Sequence, residues 1–157
     1  MGTPYSTGAE LTTYATARGI TLTGDPDVLM VRAHDYVDNS NFIGTKTDPL
    51  QPNEWPRSDA YFNGILIGDT VIPDYSGGGS VIAMEFETAI AIDQGNDPLA
   101  VVDNSIKKTF DKVDVIETEV EYIDQGQEAV VSQKITRAAS GLISAANNGI
   151  RFAVFNG

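Results

Sequence analysis

The chain has 157 residues, a length typical of one domain, and its 41% hydrophobic residues allow a buried core. It contains no cysteine and one histidine, which excludes a disulfide framework and a zinc site built from cysteine and histidine. Ten Lys and Arg residues against 22 Asp and Glu give a formal net charge of −12, which opposes general binding to a phosphate backbone.

Two helices are predicted near the start of the chain. Residues Thr7-Gly8-Ala9-Glu10 form a capping box, with a hydroxyl N-cap and a glutamate three residues later, and this helix is expected to reach about Arg18. Asp25-Pro26 is typical of a second helix start, because Asp caps the helix and Pro fits its first position. We expect the second helix to end near Asn39.

Residues 40–80 are predicted to form a long, irregular connection. They include four prolines and a turn signal at Asn63-Gly64, whose flanking segments 60–62 and 65–67 could pair briefly. Trp55 and Arg57 lie within this connection, and both residue types are enriched at interface hot spots. The two residues are therefore interface candidates. The alternative, which stays open, is that Trp55 pins the loop onto the core.

A glycine run, Gly77-Gly78-Gly79, precedes the most apolar predicted helix, which extends from Val81 to about Asp93. A helix that is apolar nearly all round is expected at the centre of a fold. The glycine run could hold an anion on its backbone N–H groups, but it lacks the lysine of a phosphate-binding loop. A flexible start with Ser80 as the N-cap is the simpler explanation.

The second half of the chain predicts a β-hairpin, a helix and an apolar arm. Glutamates alternate with Ile116, Thr118, Val120 and Tyr122, which indicates a strand of a hairpin at about 105–123. Helical periodicity returns at about 130–146. The last 29 residues, from Ala129 onward, contain no acid. Exposed phenylalanines would be a liability in a lone monomer, so the arm 147–157 is expected to dock on a partner. The docking candidates are Arg151, Phe152, Val154 and Phe155.

Two charged clusters each have two interpretations. Glu117, Glu119 and Glu121 line one strand face and could attract a hard cation, but a solvated or channel-facing acidic edge is favoured. The second cluster is basic and consists of Lys107, Lys108 and Lys112. It could contact single-stranded nucleic acid by charge and stacking, although local salt bridges are favoured because acids surround it.

The only histidine, His34, is expected to be structural. Its neighbour Asp35 suggests a base and its orienting acid, but adjacent helical residues do not face each other. The sequence also contains no nucleophile elbow. We therefore expect no enzyme activity, no metal and no cofactor. No apolar run approaches about 20 residues, so no membrane span is expected, and the first residues do not read as a signal peptide.

The order of several stretches resembles a family of phage proteins labelled DnaT-like and single-stranded-DNA-binding. By structural similarity, members of this family look like head–tail connector proteins of tailed phages, also called adaptor, neck or head-completion proteins. The resemblance covers about residues 7–143. It is carried by Ser6 to Gly19, Arg32-Ala33-His34-Asp35-Tyr36-Val37-Asp38, Glu54-Trp55-Pro56-Arg57, Ile72-Pro73, and Ile106 to Tyr122.

This resemblance implies a mainly α fold, a small bundle of about four helices with a β-hairpin and an extended C-terminal arm. Residues 1–146 would form a single connector-like domain, followed by the docking arm. The protein would be a structural virion component, made in the host cytoplasm, that forms a ring of about twelve copies beneath the portal. Its partners would be the portal protein and a tail, stopper or nozzle protein. DNA would pass through an acidic channel without specific binding.

The alternative function is a DnaT-like module that binds single-stranded DNA. It would use Lys107, Lys108 and Lys112 with nearby aromatic residues, and its affinity would fall steeply with salt. The two functions differ in what the protein binds, a protein assembly or a nucleic acid, and neither requires catalysis.

Overall fold

The computed structural model describes residues 2–98 and 133–144. Within these residues the fold is small, mixed and mostly helical, with four helices and two short antiparallel pairs of strands. The helices are α1 (Gly8–Thr16), α2 (Pro26–Val37), α3 (Val81–Asp93) and α4 (133–138). The strands are β1 (Thr45–Lys46), β2 (Arg57–Ser58), β3 (Tyr61–Phe62) and β4 (Ile65–Leu66).

The helix starts follow the predicted capping residues. Thr7 and Glu10 form the capping box of α1, with side chains bonded to each other's backbone N–H groups. The side chain of Asp25 caps α2, and Pro26 is its first residue. Each cap satisfies backbone donors that a helix start leaves free. Both helices end slightly before the predicted positions, α1 at Thr16 and α2 at Val37.

Helix α3 is central, as its all-round apolar sequence predicted. It packs against both α1 and α2, and nine of its 13 residues are buried. One cluster of buried apolar residues joins α1 and α2 to one side of α3, with Leu11, Met30 and Phe86 among its members. A second cluster joins the other side of α3 to the long connection and α4, and includes Trp55 and Leu142.

The connection 40–80 contains both strand pairs. Strand β1 pairs with β2, and β3 pairs with β4, each in antiparallel register. The turn between β3 and β4 is the predicted Asn63-Gly64, with φ of 50° and 80° at the two residues. Positive φ at both positions is typical of a tight hairpin turn. The predicted brief pairing of 60–62 with 65–67 is therefore confirmed.

Part of the predicted architecture lies outside the described residues. The hairpin at about 105–123 and the arm 147–157 are in this group, as is most of the predicted helix at 130–146 other than α4. Among the residues that are described, no helix is long and apolar enough to cross a membrane.

Candidate functional site

A polar cleft lies between α1, the loop that precedes α3, and α4. Its cavity volume is about 540 Å³, within the range of roughly 300–1,000 Å³ seen for small-molecule sites. Four separate parts of the chain line it, so tertiary packing alone brings its side chains together. The charged and aromatic lining residues are Tyr14, Arg18, Asp74, Tyr75, Glu87, Lys134 and Arg137.

The loop before α3 closes on itself and packs against the end of α4. Asp74 and Ser80 form an antiparallel bridge, and the Ser80 hydroxyl donates to Asp74 Oδ1 at 2.7 Å. Ser80 also caps α3, as predicted. Gly78 has a φ of 136°, and a Cβ there would lie 2.6 Å from Ser140 Oγ. Glycine at this position therefore permits both the backbone conformation and the close approach.

One member of an aromatic pair, Tyr75, lines the cleft. The ring of Tyr75 stacks on Phe62, with centroids 4.8 Å apart and planes inclined by 2°. The Phe62 ring is itself confined, because a Cβ on Gly79 or on Gly141 would press against it. Tyr75 is 38% exposed and lines the cleft. Tyr75 is therefore a partly exposed ring that Phe62 supports on one face.

Arg18, two residues after the end of α1, also lines the cleft. Its guanidinium lies 3.3 Å from the centroid of the Tyr14 ring, an arrangement typical of a cation–π contact. The Tyr14 hydroxyl donates to Glu87 Oε1 at 2.8 Å, and Arg18 lies 4.0 Å from the same oxygen. Burial, and then the hydrogen bond to Glu87, raise the pKa of Tyr14, so its hydroxyl remains protonated.

The cleft also holds the two cations of the described chain that lack an acidic partner. Six of the Lys and Arg residues are described, and four of these pair with a carboxylate: Arg18, Arg32, Lys46 and Arg57. Within residues 2–98 and 133–144, Lys134 and Arg137 form no ion pair. Both are exposed and lie three residues apart on α4, so they share one face. Among the residues that the structure describes, the cleft lining carries three positive and two negative side chains, in a protein of net charge −12.

A second polar cluster is buried between α2 and α3. His34 is 2% exposed, and its Nδ1 lies 2.9 Å from Oε1 of the fully buried Glu85. Its Nε2 lies 3.3 Å from Asp38 Oδ2. The Tyr5 backbone N–H donates to both oxygens of Glu85, and its hydroxyl donates to Asp38. The cluster therefore ties the N-terminal segment to both helices.

The pKa values in this cluster follow from burial and from its hydrogen bonds. Burial alone would lower the pKa of His34, but the hydrogen bonds and charges of Asp38 and Glu85 outweigh it and raise the pKa to about 9. Burial raises the pKa of Glu85, and its hydrogen bonds only partly oppose this. Burial would also raise the pKa of Asp38, but hydrogen bonds from His34 and Tyr5 lower it overall. The cluster therefore retains its histidine proton at neutral pH.

The interface candidates of the long connection lie inside the domain. Trp55 is 1% exposed and makes an edge contact with Phe42, with ring centroids 5.7 Å apart. Arg57 is 9% exposed, donates to the carbonyl of Ile43 at 2.8 Å, and pairs with Glu54. Burial matches the interpretation in which Trp55 pins the connection onto the core. Neither side chain offers a free surface to a partner.

The other candidates from the sequence fall outside the described residues. They are the docking candidates Arg151, Phe152, Val154 and Phe155, the acidic candidates Glu117, Glu119 and Glu121, and the basic candidates Lys107, Lys108 and Lys112.

Sequence reasoning did not select the cleft residues. Lys134 and Arg137 belong to the acid-free last part of the chain, and that bias was a usable signal. No comparable signal marked Tyr75 or Arg18, because each becomes part of a site only when distant elements pack together. The glycine run is evident in the sequence, but its contact with the end of α4 cannot be predicted from that run alone.

A comparison with protein-family models matches residues 4–156 to the family described as "Putative DnaT-like ssDNA binding protein". The matched range includes every residue of the cleft. No curated protein matches the chain, and no solved structure matches it.

Proposed function

The chain belongs to this DnaT-like family, and on that premise we propose that it binds single-stranded DNA in the cleft between α1, the loop before α3, and α4. The family description is the first support for this function. The second support is the local chemistry of the cleft, which combines cations with exposed aromatic surface. These are the two components from which sequence-tolerant single-strand sites are built.

The net charge of −12 does not oppose binding at this position as strongly as it opposes binding elsewhere. At physiological ionic strength the Debye length is about 8 Å, so distant surface carboxylates are largely screened. A strand in the cleft would therefore experience mainly the nearby charges. Within residues 2–98 and 133–144, those are Arg18, Lys134 and Arg137, opposed by Asp74 and Glu87.

One observation carries the proposal: the two cations without an acidic partner in the described chain both face the cleft. A paired cation must give up its carboxylate before it can neutralise a phosphate. Lys134 and Arg137 have no such cost among the described residues. They are therefore the groups best prepared to displace counterions from a DNA backbone.

The test measures the affinity of the full chain for fluorescein-labelled oligo(dT) by anisotropy, between about 50 and 200 mM salt. Replacing Lys134 and Arg137 by Gln removes two positive charges from the cleft. The matched control replaces Arg32 and Lys46 by Gln, which removes two charges that do not line the cleft.

We expect the cleft variant to bind at least tenfold more weakly. Its slope of log affinity against log salt concentration should also be shallower by about 1.4, which is roughly 0.7 for each phosphate contact on a single strand. The control variant should keep the slope of the unmodified protein. No binding at the lowest salt concentration, or equal losses in the two variants, would refute the assignment.

The second candidate function is the head–tail connector, and the exposed side chains of the β3–β4 hairpin favour it. Tyr61, Ile65 and Leu66 are 55%, 74% and 55% exposed, although all three are large and apolar. Contiguous apolar surface of this kind marks sites of protein association. The acid-free sequence after Ala129 is the second feature that suits docking.

In this function the protein would be a virion component of tailed phages that forms a ring beneath the portal and contacts a tail or stopper protein. It is tested by co-sedimentation with portal-bearing, tailless capsids. The variants are a chain ending at Asn147 and the hairpin substitution Ile65→Asp, with Val28→Asp as an exposed apolar control outside the hairpin. We expect the shortened chain and Ile65→Asp to lose capsid binding and Val28→Asp to retain it. Capsid binding by all three variants would eliminate this candidate.

A further inference from the structure

We propose that Tyr75 is a stacking platform for one nucleobase, so that the cleft recognises single-stranded nucleic acid by its bases as well as by its phosphates. This inference rests on the proposed function and adds a binding mode to it. It identifies the class of ligand as a strand with unpaired, accessible bases. Duplex DNA does not present such bases.

The geometry of the Phe62–Tyr75 pair is the basis of the inference. One face of Tyr75 is covered by Phe62, whose ring is parallel to it within 2°. Tyr75 nevertheless remains 38% exposed and lines the cleft. No second ring stacks on Tyr75 among the described residues, so a base placed on the face turned away from Phe62 would extend a stack of two rings to three, in the offset-stacked arrangement that aromatic rings prefer.

The platform is already fixed before any ligand binds. The Tyr75 backbone N–H donates to the carbonyl of Gly79, within the loop that the Asp74–Ser80 bridge closes. Phe62 cannot swing away freely, because Gly79 and Gly141 confine its ring. A ring that is immobile in the free protein loses little conformational entropy on stacking, so more of the contact energy appears as affinity.

There is room for a base and for the phosphates that flank it. Gly77 lies two residues after Tyr75, and a Cβ built on it would meet no atom of the described residues within 4 Å. Lys134 and Arg137 line the same cleft and are exposed. A base on Tyr75 and phosphates at these two cations is the division of contacts expected of a single-strand site.

Tyr61 provides a comparison within the same protein. It is more exposed than Tyr75, at 55%, and it lies on β3, one residue before Phe62. It does not line the cleft and has no ring stacked against it among the described residues. Exposure alone therefore does not distinguish the two tyrosines, whereas ring support and the nearby cations do.

The experiment compares two strands of equal length and charge: oligo(dT), and an abasic oligomer that has the same sugar-phosphate backbone without bases. Both are titrated by anisotropy into the full chain and into three variants, Tyr75→Leu, Tyr75→Trp and Tyr61→Leu. Emission of the buried Trp55 in the Tyr75→Leu and Tyr61→Leu variants, and urea unfolding in all three, verify that each variant is folded.

We expect the unmodified protein to prefer oligo(dT) over the abasic strand by roughly 5–150-fold, the range that corresponds to stacking of one base. Tyr75→Leu should abolish this preference, whereas Tyr75→Trp and Tyr61→Leu should retain it. Equal affinity of the unmodified protein for the two strands would overturn the stacking inference and leave the proposed function intact. Failure to bind either strand would overturn both. The comparison of strands needs no variant, so it remains decisive even if Tyr75→Leu does not fold.

Discussion

The buried pair of His34 and Glu85 predicts that the protein loses stability as the pH rises above neutral. The pKa of His34 in the folded protein is raised from 6.5 to about 9. The causes are the carboxylates of Glu85 and Asp38, which lie 2.9 and 3.3 Å from its ring nitrogens and outweigh burial. The folded state therefore holds the histidine proton more tightly than the unfolded chain does.

The sign of the effect follows from linkage between protonation and folding. Because the folded pKa lies above the unfolded one, the stabilisation is fully present below about pH 6.5 and is lost as the pH rises through about 9. The difference between 6.5 and about 9 corresponds to about 3 kcal/mol in the free energy of unfolding.

The assay is urea unfolding at pH 6.5 and pH 9.5, followed by the emission of Trp55, the only tryptophan. The chain has one histidine and no cysteine, so no other side chain has an ordinary pKa inside this window. We expect the free energy of unfolding to fall by about 3 kcal/mol. The control is His34→Gln, which has no ionisable ring and should show a much smaller decrease.

A titration of the single histidine by NMR gives an independent measure of the folded pKa and needs no variant. A pKa near 6.5 in the folded protein, or a free energy of unfolding that stays constant between pH 6.5 and 9.5, would refute the reasoning. Either result would mean that burial outweighs the two carboxylates, contrary to the geometry of the pair.

Three further predictions concern stability and use the same urea assay. Gly79→Ala should destabilise by more than Gly77→Ala: both have positive φ, but only the first would also press a Cβ against Phe62. Equal losses would show that the ring is not confined. Ser80→Ala removes the N-cap of α3 and should cost about 1 kcal/mol, whereas no loss would mean that the cap is dispensable. Leu11→Ala empties a fully buried site and should cost about 2–5 kcal/mol, and a cost below about 1 kcal/mol would contradict its place in the core.

The helix starts and one turn could be predicted from the sequence because their causes are local. The capping box at Thr7, the Asp25-Pro26 start and the Ser80 cap each act within four residues. The Asn63-Gly64 turn likewise depends on the φ preferences of two residues. The all-round apolar sequence of α3 also predicted its central position, because such a surface must be covered on every side.

The candidate site could be predicted only in part. Composition indicated that the end of the chain carries unopposed cations, and two of these, Lys134 and Arg137, line the cleft. The basic cluster that the alternative function would use, Lys107, Lys108 and Lys112, lies outside the described residues, so its role stays a prediction. The sequence makes Trp55 and Arg57 interface candidates and offers a place in the core as an alternative for Trp55 alone, whereas both side chains are buried in the structure.

Tertiary structure alone decided which distant residues meet. His34 contacts Glu85 and Tyr5, which are distant from it in the sequence, and its partner is not the adjacent Asp35. Arg18 and Arg137 face one cleft although more than a hundred residues separate them. A sequence pattern shows which face of a helix must be buried, but many different neighbours could bury it. The choice among them depends on the packing of the whole core, in which each contact is weak and only their sum is decisive.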